Sequence, residues 1–198
     1  MTRLILIRHG QTEWNLARRI QGSTDIPLND TGRAQAADAA ALLQDHIDPA
    51  TARLAASDLS RARETAEIIG TRLGLGVPRL YPELRERAYG DAEGLDTTEF
   101  ARRWGDWWSA AVPNAESRAD LRERAVGRLS LALADASREA GFADGTLVVV
   151  SHGALIREVI GHASADEFPA PGERLANGSA HHLLWEGGRL SLLSYAAA

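Results

Sequence analysis

Two runs of apolar residues, far apart in the chain, each end in a histidine followed by a glycine. Residues 4–7 lead into Arg8 and His9, and residues 147–150 lead through a serine into His152. Short apolar runs rich in β-branched residues predict strands buried on both faces of a parallel sheet. Ligands of open α/β sheets bind at the carboxyl edge of the strands. We therefore expect the two imidazoles to meet at that edge.

Segments with helical and extended patterns alternate between these two strands, which predicts an α/β fold. Thr31 is the expected N-cap of the first helix, and Ser57 or Asp58 that of the second. Residues 11–30 are predicted to form a loop. The predicted helices cover 30–46, 58–73, 116–140 and 154–161; further strands are predicted at 52–57 and 80–81, with a hairpin at 183–195.

Three tryptophans, Trp104, Trp107 and Trp108, are spaced for one face of a helix within residues 95–115. They can pack onto the core, or they can cover a site at the sheet edge. The two interpretations are compatible, because a cover must itself pack on something.

The composition narrows the class of protein. The 198 residues suit one domain, and no apolar run has the length of a membrane helix. The absence of cysteine excludes disulfides and thiolate metal sites, and with no signal peptide in view we expect a cytoplasmic protein. A net charge of −5 argues against a nucleic-acid surface. All 22 basic side chains are arginine, which binds phosphate bidentately.

Four short motifs, taken in order, resemble those of the histidine phosphatase superfamily, also called phosphoglycerate mutase-like. One departure is Asn-Ala-Glu-Ser at 114–117, where Gly-Glu-Ser is more usual. The motifs are residues 8–15 (Arg-His-Gly-Gln-Thr-Glu-Trp-Asn), 57–66 (from Ser-Asp-Leu to Thr-Ala), 84–94 (from Leu-Arg-Glu to Glu-Gly) and 151–154 (Ser-His-Gly-Ala).

The resemblance implies a three-layer α/β/α sandwich with a mostly parallel central sheet, as one domain over 1–198 with a cap-like insertion at about 95–115. It also implies five catalytic residues. His9 matches the nucleophile, His152 the second histidine and Glu86 the proton donor. Arg8 and Arg61 match the phosphate-binding arginines.

Four further positions match substrate-binding residues of the superfamily: Asn15, Gln21, Gly22 and Gly153. Ordinary loop polarity also explains the Gln21-Gly22 pair. Glu83 lies too early to match the proton donor. We expect Glu93, in the Glu-Gly pair, to shape its loop.

These residue types suit phosphomonoester chemistry. A neutral imidazole can attack phosphorus, and positive neighbours such as Arg8 and Arg61 lower the pKa of His9. Glu86 would donate a proton to the leaving oxygen. We expect no cofactor and no metal, since the arginines supply the positive charge and no acidic cluster accompanies the remaining histidines.

The sequence therefore predicts a metal-independent phosphatase that hydrolyses small-molecule phosphomonoesters through a phosphohistidine at His9. A mutase dependent on 2,3-bisphosphoglycerate is the alternative, and a short tail after Tyr195 favours hydrolysis. A binding module without activity would be expected to lack the nucleophile or the acid. The expected partner is a small phosphorylated metabolite, with no nucleic acid and no membrane, and the expected state is a monomer or homodimer.

Overall fold

A computed structural model describes residues 1–142 and 144–196 of the chain. Ala197 and Ala198, which belong to the short tail noted above, lie outside the described residues. The strands are β1 (Thr2–Arg8), β2 (Ala52–Ala56), β3 (Arg79–Leu80), β4 (Thr146–Ser151), β5 (Ala180–Glu186) and β6 (Arg189–Ser194). The helices are α1 (Glu13–Leu16), α2 (Asp30–Leu43), α3 (Ser60–Leu73), α4 (Thr97–Trp104), α5 (Arg118–Ser137) and α6 (Gly153–Ala163).

The six strands form one sheet in the order β3-β2-β4-β1-β5-β6. The first four run parallel to one another, and β5 and β6 run antiparallel at the far side. The predicted mostly parallel sheet is confirmed. Because β1 and β4 are direct neighbours in the middle of the sheet, their carboxyl ends lie side by side.

Successive residues of β1 face opposite sides of the sheet, as the geometry of a strand requires. Leu4 and Leu6 pack into the cluster that contains α5 and α6. Ile5 and Ile7 pack into the cluster that contains α2 and α3. All four are at most 2% exposed. The three-layer α/β/α sandwich is confirmed, and burial on both faces explains the continuous apolar run.

The starts of helices α2 and α3 are not capped by the residues that the sequence predicted. Asn29, not Thr31, caps α2, through a bond from the amide of Gly32. Neither Ser57 nor Asp58 caps α3 through its side chain. Instead Asp25, from the preceding loop, accepts from the backbone amide and hydroxyl of Ser60 at 2.8 and 2.7 Å. The predicted loop also contains the single turn α1.

The tryptophans do not share one helix face, so that prediction is wrong. Helix α4 ends at Trp104, because Gly105 adopts a φ of 78° that breaks the helix. Trp107 nevertheless packs on Phe100, with ring centroids 4.6 Å apart, and on Tyr89 at 5.4 Å. Trp108 is 47% exposed, and its ring lies against Arg118 and Arg157. Over the described residues, no helix combines the length and the apolar character needed to cross a membrane.

Candidate active site

The parallel pairing of β1 with β4 brings the two histidines together. Arg8 lies opposite Ser151 in the register, so His9 and His152 leave neighbouring strands at the same level. Their ring centroids are 5.1 Å apart and the ring planes differ by 59°. Both side chains are buried, at 3% and 0% exposure. The convergence predicted from the sequence is confirmed.

His9 is held as a neutral imidazole with one free nitrogen. Its Nδ1 lies 2.7 Å from the carbonyl oxygen of Gly10, which assigns the ring proton to Nδ1 and leaves the Nε2 lone pair available. Burial lowers the pKa of His9 well below its ordinary value, and the charges of Arg61 and Arg8 lower it further. The neutral form is the one that can act as a nucleophile.

His152 is the last residue before α6, and its ring has no hydrogen-bond partner among the described residues. Burial lowers its pKa well below the ordinary value, followed by the charges of Arg61, His9 and Arg8. A buried polar group without a partner requires an explanation. A bound dianion would supply both an acceptor and the charge that favours the imidazolium form.

Arg61 lies in the first turn of α3 and is fully buried. Its Nη1 and Nη2 donate to the carbonyl oxygens of Thr24 and Gly22, each at 2.8 Å. Arg8 donates from Nη1 to the carbonyl oxygen of Leu175. In both guanidinium groups the buried Nε has no partner among the described residues. Each arginine is thus fixed by backbone carbonyls and keeps a donor for a ligand.

Glu93 accepts from the amide of Tyr89 at 3.1 Å within its own loop, as expected, and it also holds the loop that fixes Arg61. Its carboxylate accepts from the backbone amides of Ser23 and Thr24 at 2.9 and 3.0 Å and from the Thr24 hydroxyl at 2.6 Å. Although burial opposes it, these bonds lower the pKa of Glu93. Gly22 has a φ of 56°, and a Cβ there would lie 2.1 Å from a Glu93 oxygen.

Glu86 reaches the same edge of the sheet from another direction. Its carboxylate accepts from the amides of Ala154 and Leu155, at 3.1 and 3.2 Å, in the first turn of α6. Burial lowers the pKa of both Arg8 and Arg61, and the charge of Glu86 opposes this change. Glu83 does not reach this place, because it pairs with Arg128.

Hydrogen bonds or the chain itself connect the matched substrate-binding positions to the segments that hold the histidines and Arg61. The Asn15 side chain accepts from the amide of Thr12 at 3.1 Å, and the Thr12 hydroxyl donates to Gln21 at 3.0 Å. Gly153 leaves room for Arg8, since a Cβ there would lie 3.3 Å from its Nε.

Two residues near the histidines were missed by the sequence analysis. Asn177 donates to the carbonyl oxygen of His9 at 2.9 Å and to Asn15 at 3.3 Å. Arg124 donates to the carbonyl oxygens of Glu83 and Arg85, beside Glu86. Asn177 precedes a glycine, which signals only a turn, and Arg124 carries no local signal.

A cavity of about 530 Å³ opens beside Glu86, where Ser23, Asn114 and Glu116 line it. No group of three or more His, Asp or Glu side chains suited to a metal ion occurs in the part of the chain that the structure describes. The arrangement at the sheet edge is suited to binding a phosphoryl group with arginine and histidine donors.

A family model described as the histidine phosphatase superfamily (branch 1) matches residues 4–198. The chain belongs to the histidine phosphatase superfamily. Among the curated members, the uncharacterized phosphatase PhoE of Bacillus subtilis is 35% identical over 177 residues, which are 89% of this chain and 85% of that protein.

Solved structures of the superfamily have the same fold. A mycobacterial glucosyl-3-phosphoglycerate phosphatase, solved with VO3, superposes with a TM-score of 0.84 at 31% identity, covering 99% of both chains. A probable phosphoglycerate mutase, GpmB of Erwinia tasmaniensis, is 33% identical over 88% of this chain and 79% of its own. Mutases therefore occur among the relatives, but the phosphatases among them agree better with the predicted activity. The predicted phosphatase function is confirmed. The superfamily acts on small phosphorylated metabolites.

Proposed function

We propose that this phosphatase hydrolyses small phosphomonoesters in two steps through His9. In the first step the Nε2 lone pair attacks phosphorus, the ester P–O bond breaks, and protonated Glu86 gives its proton to the leaving oxygen. The products are an alcohol and a phosphohistidine. The bond from Nδ1 to the Gly10 carbonyl stabilises the positive charge that the ring acquires.

One observation carries the proposal: the charged and polar side chains close to His9 have buried polar atoms without partners. The Nε atoms of Arg8 and Arg61 and both ring nitrogens of His152 are buried and unpaired among the described residues. Donors fixed in advance stabilise the charge that develops on the phosphoryl oxygens without reorganisation.

In the second step water attacks the phosphohistidine. The Glu86 carboxylate takes the proton from that water, the P–N bond breaks, and inorganic phosphate leaves with His9 restored as a neutral imidazole. Glu86 ends the cycle protonated, as it began, so protons and charges balance. No step in this sequence calls for a metal ion, since the arginines supply the positive charge.

A mutase would use the same phosphohistidine but return the phosphoryl group to another hydroxyl of the substrate. Because one relative is named as a probable mutase, the experiment below also tests this alternative. The organisation as one domain with a cap at about 95–115, the cytoplasmic location, the lack of nucleic-acid binding and the monomeric or homodimeric state are further parts of the proposal.

The test measures free phosphate and phosphate isomers separately. The protein is incubated with a panel of phosphomonoesters, and with 3-phosphoglycerate in the presence and absence of 2,3-bisphosphoglycerate. We expect phosphate release without isomer, and an acid-labile phosphoenzyme that is lost in His9→Ala. Isomer without free phosphate would establish the mutase, and labelling that persists in His9→Ala would remove His9 as the nucleophile.

A further inference from the structure

Two arginines stack on the exposed Trp108. The guanidinium carbons of Arg118 and Arg157 lie 5.0 and 5.6 Å from the centroid of the Trp108 ring. A guanidinium group at this distance from a tryptophan is attracted to the face of the ring. Together with Trp108, the two guanidinium groups form one surface beside residues 105–108.

The segment 173–175 connects this surface to the phosphoryl site. Arg157 donates to the carbonyl oxygen of Glu173, and Arg8 donates to that of Leu175. Two residues of chain span at most about 7 Å, so the two guanidinium groups are anchored close together. Arg174 lies between the two anchor points and is exposed.

Helix α6 gives a second connection. Glu86, the proposed proton donor, accepts from Ala154 at 3.1 Å. Arg157 follows Ala154 by three residues, which places it on the same side of the helix about 4.5 Å further along the axis. The alcohol part of a substrate, whose oxygen faces Glu86, can thus reach Arg157 across one helical turn.

Charge pairing distinguishes the arginines of this surface from those of the cavity beside Glu86. Arg118 pairs with the buried Glu158 at 2.7 Å. Arg157 and Arg174 form no ion pair within residues 1–142 and 144–196, although the Glu173 carboxylate lies near Arg157. Burial, followed by the charge of Arg118, lowers the pKa of Arg157, and the nearby charges of Glu173 and Glu158 oppose this change.

The cavity beside Glu86 has arginines that are already paired. There Arg85 pairs with Asp58 at 2.6 Å and Arg124 with Glu116 at 2.8 Å. An anionic group gains little from such paired cations, whereas unpaired guanidinium groups bind carboxylate or phosphate strongly.

We propose that Arg157 and Arg174 bind a second anionic group, a carboxylate or a phosphate, on the alcohol part of the substrate. The preferred substrates are then phosphomonoesters of acidic or doubly phosphorylated small molecules. This inference rests on the proposed function, because it assumes that the first phosphoryl group lies at His9.

The test uses pairs of esters that differ in the second group alone. 3-Phosphoglycerate is compared with glycerol 3-phosphate, and propane-1,3-diol bisphosphate with the monophosphate. We expect kcat/KM to be at least tenfold higher for one or both anionic members, and the pair that responds identifies the group. Equal kcat/KM within both pairs would overturn the inference while leaving hydrolysis intact. Failure to hydrolyse any ester would instead overturn the proposed function.

Substitutions test which arginines cause the preference for the anionic ester. Arg157→Gln and the exposed Arg174→Gln should each reduce the preference for the anionic ester at least fivefold, mainly through KM. The control Arg85→Gln removes a paired arginine beside Glu86 and should keep the preference. A preference that persists in both Arg157→Gln and Arg174→Gln, or that is lost equally in Arg85→Gln, would refute the assignment.

Discussion

Arg124 and Glu116 form a bidentate ion pair, with Nε–Oε1 and Nη2–Oε2 distances both of 2.8 Å. The same guanidinium donates from Nη1 to the carbonyl oxygens of Glu83 and Arg85. The pair thus ties helix α5 to the loop that carries Glu86. We interpret Arg124 as a positioning residue that acts through Glu86.

Arg124→Gln should therefore slow the hydrolysis of alkyl phosphates by about tenfold to a hundredfold, because a small displacement of the acid is costly. Phenolate esters, which need little proton donation, should lose much less. Steady-state kinetics with both ester types measures the difference. Arg128→Gln is the matched control, since Arg128 on the same helix pairs with Glu83. A uniform loss with both ester types would indicate a structural role only.

Glu86→Gln removes the proposed acid while preserving the shape of the side chain. Alkyl phosphates should be hydrolysed about a hundredfold more slowly or worse, the range usual for general acid catalysis. The corresponding loss with p-nitrophenyl phosphate should be much smaller. Glu83→Gln, three residues earlier, is the control and should retain the wild-type dependence on leaving group. Equal slowing of both ester types in Glu86→Gln would exclude the acid role.

The central sheet and the meeting of His9 with His152 could be predicted because their signals are local. A buried parallel strand needs a continuous apolar run, and the polar residues after it mark the edge of the sheet. The signals for Asn177 and Arg124 are tertiary. Each binds backbone atoms of a segment distant in sequence, and no spacing rule connects them.

The prediction of one helix face for the three tryptophans was wrong for a different reason. The spacing of Trp104, Trp107 and Trp108 suits a helix, but Gly105 lies between them with a positive φ. Packing of Trp107 on Phe100 then determines the local structure instead of the helical period. In the same way Asp25, 35 residues away, replaces the local cap expected for α3.

Because His181 is buried, we expect the stability of the fold to decrease at acidic pH. It is fully buried, accepts from the amide of Ala196 and contacts the Ser179 hydroxyl. Burial, followed by the charges of His182 and Arg8, lowers its pKa to about 4. The unfolded chain, with an ordinary histidine pKa, binds more protons below about pH 6.5, so the free energy of unfolding falls as the pH drops from there to about 4.

At pH 5 this one group should reduce the free energy of unfolding by about 2 kcal/mol relative to pH 7.5. Urea denaturation of the wild type and of His181→Gln at both pH values isolates the contribution, because the other titrating groups are common to both proteins. The difference between the two pH values should be about 2 kcal/mol smaller in the variant. His46→Gln removes an exposed histidine and serves as the control. An unchanged difference in His181→Gln would refute the prediction.

Asn177 positions the nucleophile through its backbone. Its amide donates to the carbonyl oxygen of His9 at 2.9 Å and to the Asn15 side chain at 3.3 Å, so it links the end of β1 to a predicted substrate-binding residue. Asn177→Ala should lower kcat about tenfold, the equivalent of one hydrogen bond in the transition state. KM should change less, because the donors of Arg8 and Arg61 remain.

Asn177→Asp provides the sharper comparison, because it keeps the size of the side chain but turns an acceptor toward two other acceptors. It should be slower than Asn177→Ala, and rapid-quench measurement should show that formation of the phosphohistidine is the affected step. Faster turnover in Asn177→Asp than in Asn177→Ala would mean that the hydrogen bond to the His9 carbonyl does not position the imidazole.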